Sequence, residues 1–374
     1  EVKKMTKNWQ IKISILTLAA TMLACQAVMG PDDDYLTESS SQESVPQDAP
    51  PTQPEVEAPS GDGGGEACLE GESYHPENGL CYLDGGNAET PFTSMMAGVT
   101  EYDENFEEKL LDGEYVLVKY DIHGSEILSP EYESVDDDLL DEQDNTALHE
   151  QIWDFYAAMI PAEDRDFVSH YVVMTDGLGG TLAAVEQNPD EPTLWMLNVD
   201  ISDTENLEEL TFTLIHEYGH LLTLNTSQVD IDEELFYNAE DEDALYEAEA
   251  NCDTYFTGEG CAKSSSYFYL FFDEFWYDIY DDWNEIQYIE DDDKYYEATD
   301  EFYYAHEADF VTDYAATNPG EDIAETWAFF ITQPKPAGNT IAEKKILFFY
   351  DFPELVELRS EIIARAYSRL IRMQ

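Results

Sequence analysis

Residues 210–224 read Leu210-Thr-Phe-Thr-Leu-Ile-His-Glu-Tyr-Gly-His-Leu-Leu-Thr-Leu224, and this largely apolar pattern predicts a buried helix. His216 and His220 are four positions apart, so on a helix both imidazoles project from one face toward a shared point. Glu217 lies beside His216, where it can accept a proton from a metal-activated water and later release it. The stretch therefore predicts a zinc site with His216 and His220 as ligands and Glu217 as the catalytic base.

The segments before this helix indicate the fold class. Residues 115–120, 168–174 and 193–199 have the pattern of strands, and residues 146–160 carry apolar side chains at helical spacing. We expect an α+β fold with a small mixed sheet and a mostly helical C-terminal half. Zinc peptidases with this motif share the order helix, strand, strand, motif helix. The last strand, residues 193–199, is then the open edge beside the motif helix, where an extended substrate can pair.

A catalytic zinc ion needs a third protein ligand in addition to a position for water. Thr223 and Thr226 stand where a metzincin has Gly and His, so that class of zinc peptidase is excluded. A carboxylate ligand is therefore expected. The candidates by distance along the chain are Glu240, Glu247, Glu249 and Glu321.

Sequence context favours Glu321 among these candidates. Glu240 lies in an acidic stretch that is typical of a solvated loop, whereas residues 314–330 read as a loop that enters an amphipathic helix at Pro319. Glu321 can reach the metal from the first turn of that helix. Glu325, one turn later, can accept the second N–H of a liganding histidine and so fix its tautomer. Glu240 remains the alternative third ligand.

The same region resembles the gluzincin peptidases, and within them the domains similar to the catalytic domain of anthrax lethal factor. In that family a Tyr-Ala-x-Thr-Asn stretch leads into a Glu-x-x-Ala-Glu helix, matched here by Tyr314, Ala315, Thr317, Asn318, Glu321, Ala324 and Glu325. The resemblance implies a zincin-like fold, zinc bound by Glu321, and a Tyr314 hydroxyl that hydrogen-bonds the oxyanion of the tetrahedral intermediate. It covers the two motifs and the strand order between about residues 112 and 330. The stretch between the motifs is longer than in the family, which indicates an acidic insertion at about residues 226–310.

The N-terminal residues have the pattern of an export signal. Lysines at positions 3, 4, 7 and 12 precede an uncharged apolar run that is too short for a comfortable membrane span. The run ends in Met22-Leu-Ala-Cys25, which resembles the lipobox of bacterial lipoproteins, where the Cys carries the lipid. We expect a signal peptide over residues 1–24 and an exported, cell-envelope protein held to the membrane only through Cys25. The alternative is plain secretion.

Composition divides the rest of the chain into three parts. Residues 25–66 are rich in Ser, Pro, Gly and acidic residues and have almost no aromatic side chains, which is typical of a disordered tether. Residues 67–88 are turn-rich and contain two cysteines, so they are expected to form a small module. Residues 89–374 are expected to form one catalytic domain.

The cysteines other than Cys25 are even in number, which on an exported chain favours disulfides. The expected pairs are Cys68–Cys81 and Cys252–Cys261, because each closes a short loop. Their spacings lack the close CxxC geometry of a zinc knuckle. Reduced cysteines are the alternative if the host has no oxidative export pathway.

The chain carries 84 acidic and 16 basic residues, for a formal net charge of −68. Such a charge repels phosphate backbones, so nucleic acid is not an expected partner. The excess acidity fits either a saline habitat or calcium sites in the acidic loops. The chain is expected to be a monomer.

These features together predict a zinc-dependent peptidase that cleaves peptides or proteins at the cell surface or in the envelope. The alternative is a surface lipoprotein that keeps the zincin scaffold without catalysis and acts in binding or adhesion. His170 and His306 are further candidates to line the cleft, although an ordinary surface or core role is expected more often for such residues.

Overall fold

The computed structural model describes residue 68 and residues 72–75, 80–83, 85–100, 109–238, 241–289 and 291–373. The predicted signal peptide, the tether with Cys25, and Glu240 lie outside these residues. None of the described helices is both long enough and apolar enough to cross a membrane.

The strands lie mostly in the first half of the chain. In order they are β1 (Glu72–His75), β2 (Leu80–Leu83), β3 (Lys109–His123), β4 (Glu126–Tyr132), β5 (Val168–Leu178), β6 (Ala183–Asn188) and β7 (Glu191–Asp200). β1 and β2 pair with each other, and the other strands form a five-stranded sheet in the order β4-β3-β5-β7-β6. Within this sheet β5 and β7 are parallel and the remaining pairs are antiparallel. The prediction of a small mixed sheet in an α+β fold is confirmed.

The open edge beside the motif helix is formed by a different strand from the one predicted. Residues 193–199 belong to β7, which lies inside the sheet between β5 and β6, so the prediction that they form the edge was wrong. β6 is the edge strand and packs next to the helix of the histidine motif. It reads Ala-Ala-Val-Glu-Gln-Asn, with one β-branched residue and no aromatic residue. Its strand conformation therefore depends on antiparallel pairing with β7 rather than on local propensity.

Helices account for most of the remaining structure, and after β7 the described elements are helical apart from the short pair β8 (Val229–Ile231) and β9 (Gly260–Ala262). The helices are α1 (Gly85–Met95), α2 (Leu140–Gln143), α3 (Thr146–Met159), α4 (Leu207–Leu224), α5 (Glu233–Phe236), α6 (Glu242–Asn251), α7 (Tyr267–Phe275), α8 (Tyr280–Ile286), α9 (Asp292–His306), α10 (Pro319–Thr332), α11 (Ile341–Phe348) and α12 (Pro353–Met373). The mostly helical C-terminal half is as predicted.

The motif helix α4 lies in the core and packs against α10, the helix that carries Glu321. Both helices are buried on nearly all sides, because apolar residues occupy the positions around their polar groups. The aromatic face of α7 also packs into the core, through Phe268, Phe271 and Phe272. The predicted insertion at about residues 226–310 is therefore held to the domain by the apolar contacts of α7.

Both predicted disulfides, Cys68–Cys81 and Cys252–Cys261, are present. The first ties residue 68 to β2, and the second joins the end of α6 to β9. Tyr82 on β2 is buried, and its hydroxyl donates to the backbone carbonyl of Ala158 at 3.4 Å. The first disulfide therefore belongs to a segment that packs against the main domain.

Candidate metal centre

The two histidines of the motif lie on α4, whose start is fixed by the side chain of Asn206. The Oδ1 atom of Asn206 accepts hydrogen bonds from the backbone N–H groups of Glu208 and Glu209 at 3.2 and 3.3 Å. This cap satisfies amide donors that lack a partner within the helix. His216 is buried, and His220, one turn later, is partly exposed on the same face.

Glu321 is positioned by the start of α10. Asn318 caps this helix by accepting hydrogen bonds from the N–H groups of Gly320 and Glu321 at 2.8 and 2.9 Å, and Pro319 occupies the first helical position. The neighbouring Asp322 is buried and contacts Trp276 Nε1 at 2.7 Å and Lys345 Nζ at 2.6 Å. These contacts bind the first turn of α10 to its surroundings and hold Glu321 toward α4.

Helices α4 and α10 lie close together at Gly219. A Cβ atom at this position would lie 3.0 Å from Ala324 Cα and 3.1 Å from Trp327 Cδ1, which is tighter than most real Cβ contacts. The glycine inside the histidine motif therefore allows the two backbones to approach. This approach is what brings the carboxylate of α10 within reach of the two imidazoles.

Three side-chain atoms converge between these helices. His216 Nε2 and His220 Nε2 are 3.1 Å apart, and Glu321 Oε2 lies 3.2 Å from each of them. Ligand atoms around a tetrahedral zinc ion are separated by about 3.4 Å, given Zn–N and Zn–O distances of about 2.1 Å. The triangle thus has the size and the donor atoms of a zinc site with three protein ligands.

The carboxylate of Glu321 is buried at the triangle, and its ionisation depends on the histidines. Burial by itself raises the pKa of Glu321, but the charge of His220 and hydrogen bonds from both histidines outweigh this effect and hold the pKa well below its usual range. Glu321 is therefore an ionised oxygen ligand at neutral pH. A negative ligand between two imidazoles suits a divalent cation.

The orientation of His216 is set by Glu325. His216 Nδ1 lies 2.8 Å from Glu325 Oε2, and the other carboxylate oxygen of Glu325 accepts a hydrogen bond from Thr312 Oγ1 at 3.0 Å. Because the carboxylate of Glu325 can only accept, Nδ1 carries a proton, and the lone pair of Nε2 would face the triangle once a metal replaces the proton at Nε2. This is the tautomer that a metal ligand needs.

The two predicted catalytic residues, Glu217 and Tyr314, lie on the helix of the histidines and in the turn before α10. Glu217 is 5% exposed and adjacent to His216 on α4. The ring of Tyr314 lies in a short turn before α10, with its centroid 5.8 Å from that of His216. The structure therefore brings the ring of Tyr314 close to a candidate ligand and buries Glu217 on the helix that carries both histidines.

The other candidates lie elsewhere among the described residues. Glu247 and Glu249 are on α6 and do not belong to the metal-ligating group. His170 pairs with Asp121 at 3.3 Å on the sheet, and His306 pairs with Asp309 at 3.0 Å after α9. Neither histidine reaches the triangle.

Sequence reasoning missed two residues of the site. Thr312 holds Glu325, and Gly219 allows the close helix contact. Only the glycine had a detectable signal, because a glycine within a helix lowers its stability and usually has a packing reason.

No protein-family model, no curated protein and no solved structure matches this chain. The function is therefore inferred from the chemistry of the site and from the motifs that compose it.

Proposed function

We propose that the chain is a zinc-dependent peptidase with a zincin-like catalytic domain of the gluzincin type. The observation that supports this most strongly is the triangle of His216, His220 and Glu321, with sides of 3.1 to 3.2 Å, beside the buried carboxylate of Glu217. Two imidazole nitrogens and one carboxylate oxygen are the donors of catalytic zinc sites. A structural zinc site has four protein ligands, whereas three leave a position for water.

The residues of the chain divide the work of peptide hydrolysis. A bound zinc ion would supply Lewis-acid activation of water and of the scissile carbonyl. Glu217 takes the proton of the attacking water and passes it to the leaving amine. The hydroxyl of Tyr314 donates to the developing oxyanion, and Glu325 keeps His216 in the tautomer that binds metal.

The substrate that this geometry favours is an extended peptide. β6 offers an outer edge with unpaired backbone groups next to α4, and an extended chain can add to such an edge. The formal charge of −68 favours basic over acidic substrates through long-range attraction. Residues 1–25 support the further proposal that the enzyme is exported and anchored in a bacterial envelope through Cys25.

The test compares the full chain with Glu217→Gln for zinc content and for cleavage of a mixed peptide library. We expect about one zinc per chain in both proteins, and a loss of kcat/KM by about 10²- to 10⁴-fold in Glu217→Gln. Glu150→Gln is the matched control, because Glu150 is exposed on α3 and should retain full activity.

Two outcomes would contradict the proposal. Cleavage that persists unchanged in Glu217→Gln would show that the activity belongs to a contaminant or to another site. Zinc binding without any cleavage by the unmodified chain would favour the alternative, a zincin scaffold that serves binding or adhesion.

A further inference from the structure

A second group of acidic side chains lies at the ends of two neighbouring strands. Asp176 is near the end of β5, Asp200 ends β7, and Asp203 follows in the turn that leads to α4. β5 and β7 run parallel with Met174 opposite Asp200, so their carboxyl ends reach the same side of the sheet. One carboxylate oxygen from each aspartate lies within 4.8 Å of the others.

Two of these carboxylates are buried, and none of the three has a basic partner among the described residues. Asp200 is 0% exposed and Asp176 is 4% exposed. Among the ion pairs formed by the described residues, none joins a lysine, arginine or histidine to any of the three aspartates. Burial of several like charges is unfavourable unless a cation compensates them.

Backbone amides hold two of the carboxylates in place as acceptors. Asp200 accepts hydrogen bonds from the N–H groups of Asp176 and Ser202, both at 2.7 Å. Asp203 accepts from the N–H of Gly179 at 2.9 and 3.2 Å. These hydrogen bonds fix the positions of the carboxylate oxygens, while burial raises the pKa of both Asp200 and Asp203.

Asp176 provides the independent indication of a ligand. Its Oδ2 accepts a hydrogen bond from the N–H of Thr181 at 3.0 Å, but its Oδ1 is buried and has no donor among the described residues. The carboxylate lies under Gly180, where a Cβ atom would come within 3.0 Å of Oδ1 and 2.8 Å of Oδ2. A buried carboxylate oxygen without a donor needs a partner of another kind, and the neighbouring acidic oxygens make that partner a cation.

We propose that Asp176, Asp200 and Asp203 bind a calcium ion. Carboxylate oxygens are the ligands of hard cations, and oxygens on opposite sides of calcium are about 4.6 to 5.2 Å apart, so three oxygens within 4.8 Å of one another can share one calcium ion. Magnesium keeps several of its waters and is seldom enclosed by protein ligands, so a buried site favours calcium. Zinc prefers nitrogen and sulfur donors, which this site lacks. The site joins the ends of β5 and β7 to the turn before α4.

The experiment is a calorimetric titration of the full, zinc-loaded chain with calcium chloride in metal-depleted buffer. We expect one saturable site and a higher unfolding temperature with calcium, with little effect of equimolar magnesium. Asp176→Asn should weaken binding by about tenfold or more. Asp137→Asn is the matched control, since it removes the same charge from an exposed acidic run and should bind calcium as the unmodified chain does.

A second variant, Asp203→Asn, tests the same site from the partly exposed turn if Asp176→Asn fails to fold. The proposal is overturned if the unmodified chain shows only weak, non-saturating calcium uptake. It is also overturned if Asp203→Asn and Asp137→Asn bind calcium equally well. Peptidase activity is not the readout, so failure here is distinguishable from failure of the zinc proposal.

Discussion

Glu325 orients one member of the candidate ligand triangle without belonging to it. It accepts the Nδ1 proton of His216 at 2.8 Å and is itself held by Thr312. Removal of the Glu325 charge weakens the hydrogen bond that orients the His216 ring and lowers the basicity of that ring, because an amide is a poorer acceptor than a carboxylate. The three ligand atoms stay in the sequence, but their geometry loses its support.

We predict that Glu325→Gln lowers zinc affinity by about 10- to 100-fold, as measured by competition with a chromogenic chelator. The exposed Glu357→Gln on α12 is the control and should bind zinc as tightly as the unmodified chain. Equal affinities for Glu325→Gln and the control would show that Glu325 does not orient His216.

Tyr314 allows a separate test, because its proposed role concerns the reaction and not the metal. Tyr314→Phe keeps the ring next to His216 and removes only the hydroxyl donor. We expect kcat to fall by about 10²-fold, because the oxyanion that the hydroxyl would stabilise exists only after the attack on the carbonyl. Zinc content and KM should stay nearly unchanged. A rise in KM at constant kcat would instead assign Tyr314 to substrate binding.

At the scale of elements, the site depends on the contact between α4 and α10. Gly219→Ala places a methyl group about 3 Å from the backbone of Ala324, so the helices must separate. We predict a loss of about 1–3 kcal/mol in the free energy of unfolding, together with weaker zinc binding.

The control for Gly219 is Gly86→Ala on α1, where an added Cβ meets nothing within 4 Å. That change should leave stability unchanged or raise it by up to about 1 kcal/mol. Chemical denaturation measures both variants. A Gly219→Ala protein as stable as the control would show that the close helix contact is not required.

Helix α3 carries a buried histidine that makes stability depend on pH. His149 is 0% exposed, and its ring nitrogens contact the Tyr120 hydroxyl at 2.8 Å and the carbonyl of Glu142 at 2.9 Å. Burial lowers the pKa of His149 below its ordinary value of 6.5, against a smaller opposing effect of the Glu142 carbonyl. The His149 ring is therefore neutral in the folded protein. Its contribution to the free energy of unfolding is fully present above pH 6.5 and is lost as the pH falls below that value.

We predict that the stability advantage of the unmodified chain over His149→Gln shrinks between about pH 7.5 and about pH 5.5. At the lower pH the unfolded chain binds a proton at His149 that the folded chain does not. Unfolding free energies from denaturant titrations at both values measure this difference. All other titratable groups are the same in both proteins, so their effect cancels. An advantage that grows toward acid would contradict the prediction.

Local sequence patterns predicted some of these elements and missed others. His216 and His220 lie four positions apart on one helix, so their spacing alone predicted that they share a face, with Glu217 beside His216. Glu321 required the pattern of a second helix. β6 was missed because its Ala and Gln residues carry no strand signal, and its conformation arises from pairing with β7. Asp176 and Asp200 were missed because parallel pairing of β5 and β7 is a long-range contact that no local pattern encodes.

At the scale of the whole molecule, charge is the dominant feature. The acidic side chains that give the formal charge of −68 repel one another more strongly in the compact folded state than in the expanded unfolded chain. The Debye length falls from about 10 Å at 0.1 M salt to about 3 Å at 1 M, so added salt screens this repulsion.

We predict that the unfolding temperature rises as potassium chloride increases from about 0.1 M to about 1 M. The rise should persist in Asp176→Asn, because general screening does not need the proposed calcium site. Differential scanning calorimetry with a chelator present measures it. A flat or falling profile would exclude self-repulsion as a major cost of folding.

His216 and Glu321 are separated by 105 positions along the chain. A ribosome that adds about 5–20 residues per second needs roughly 5 to 20 s to synthesise that interval. Throughout that time the growing polypeptide holds both imidazoles but lacks the carboxylate that completes their triangle. Any hydrolytic capacity at this centre would consequently arise late in biosynthesis, after the helix bearing Glu321 has been made and docked.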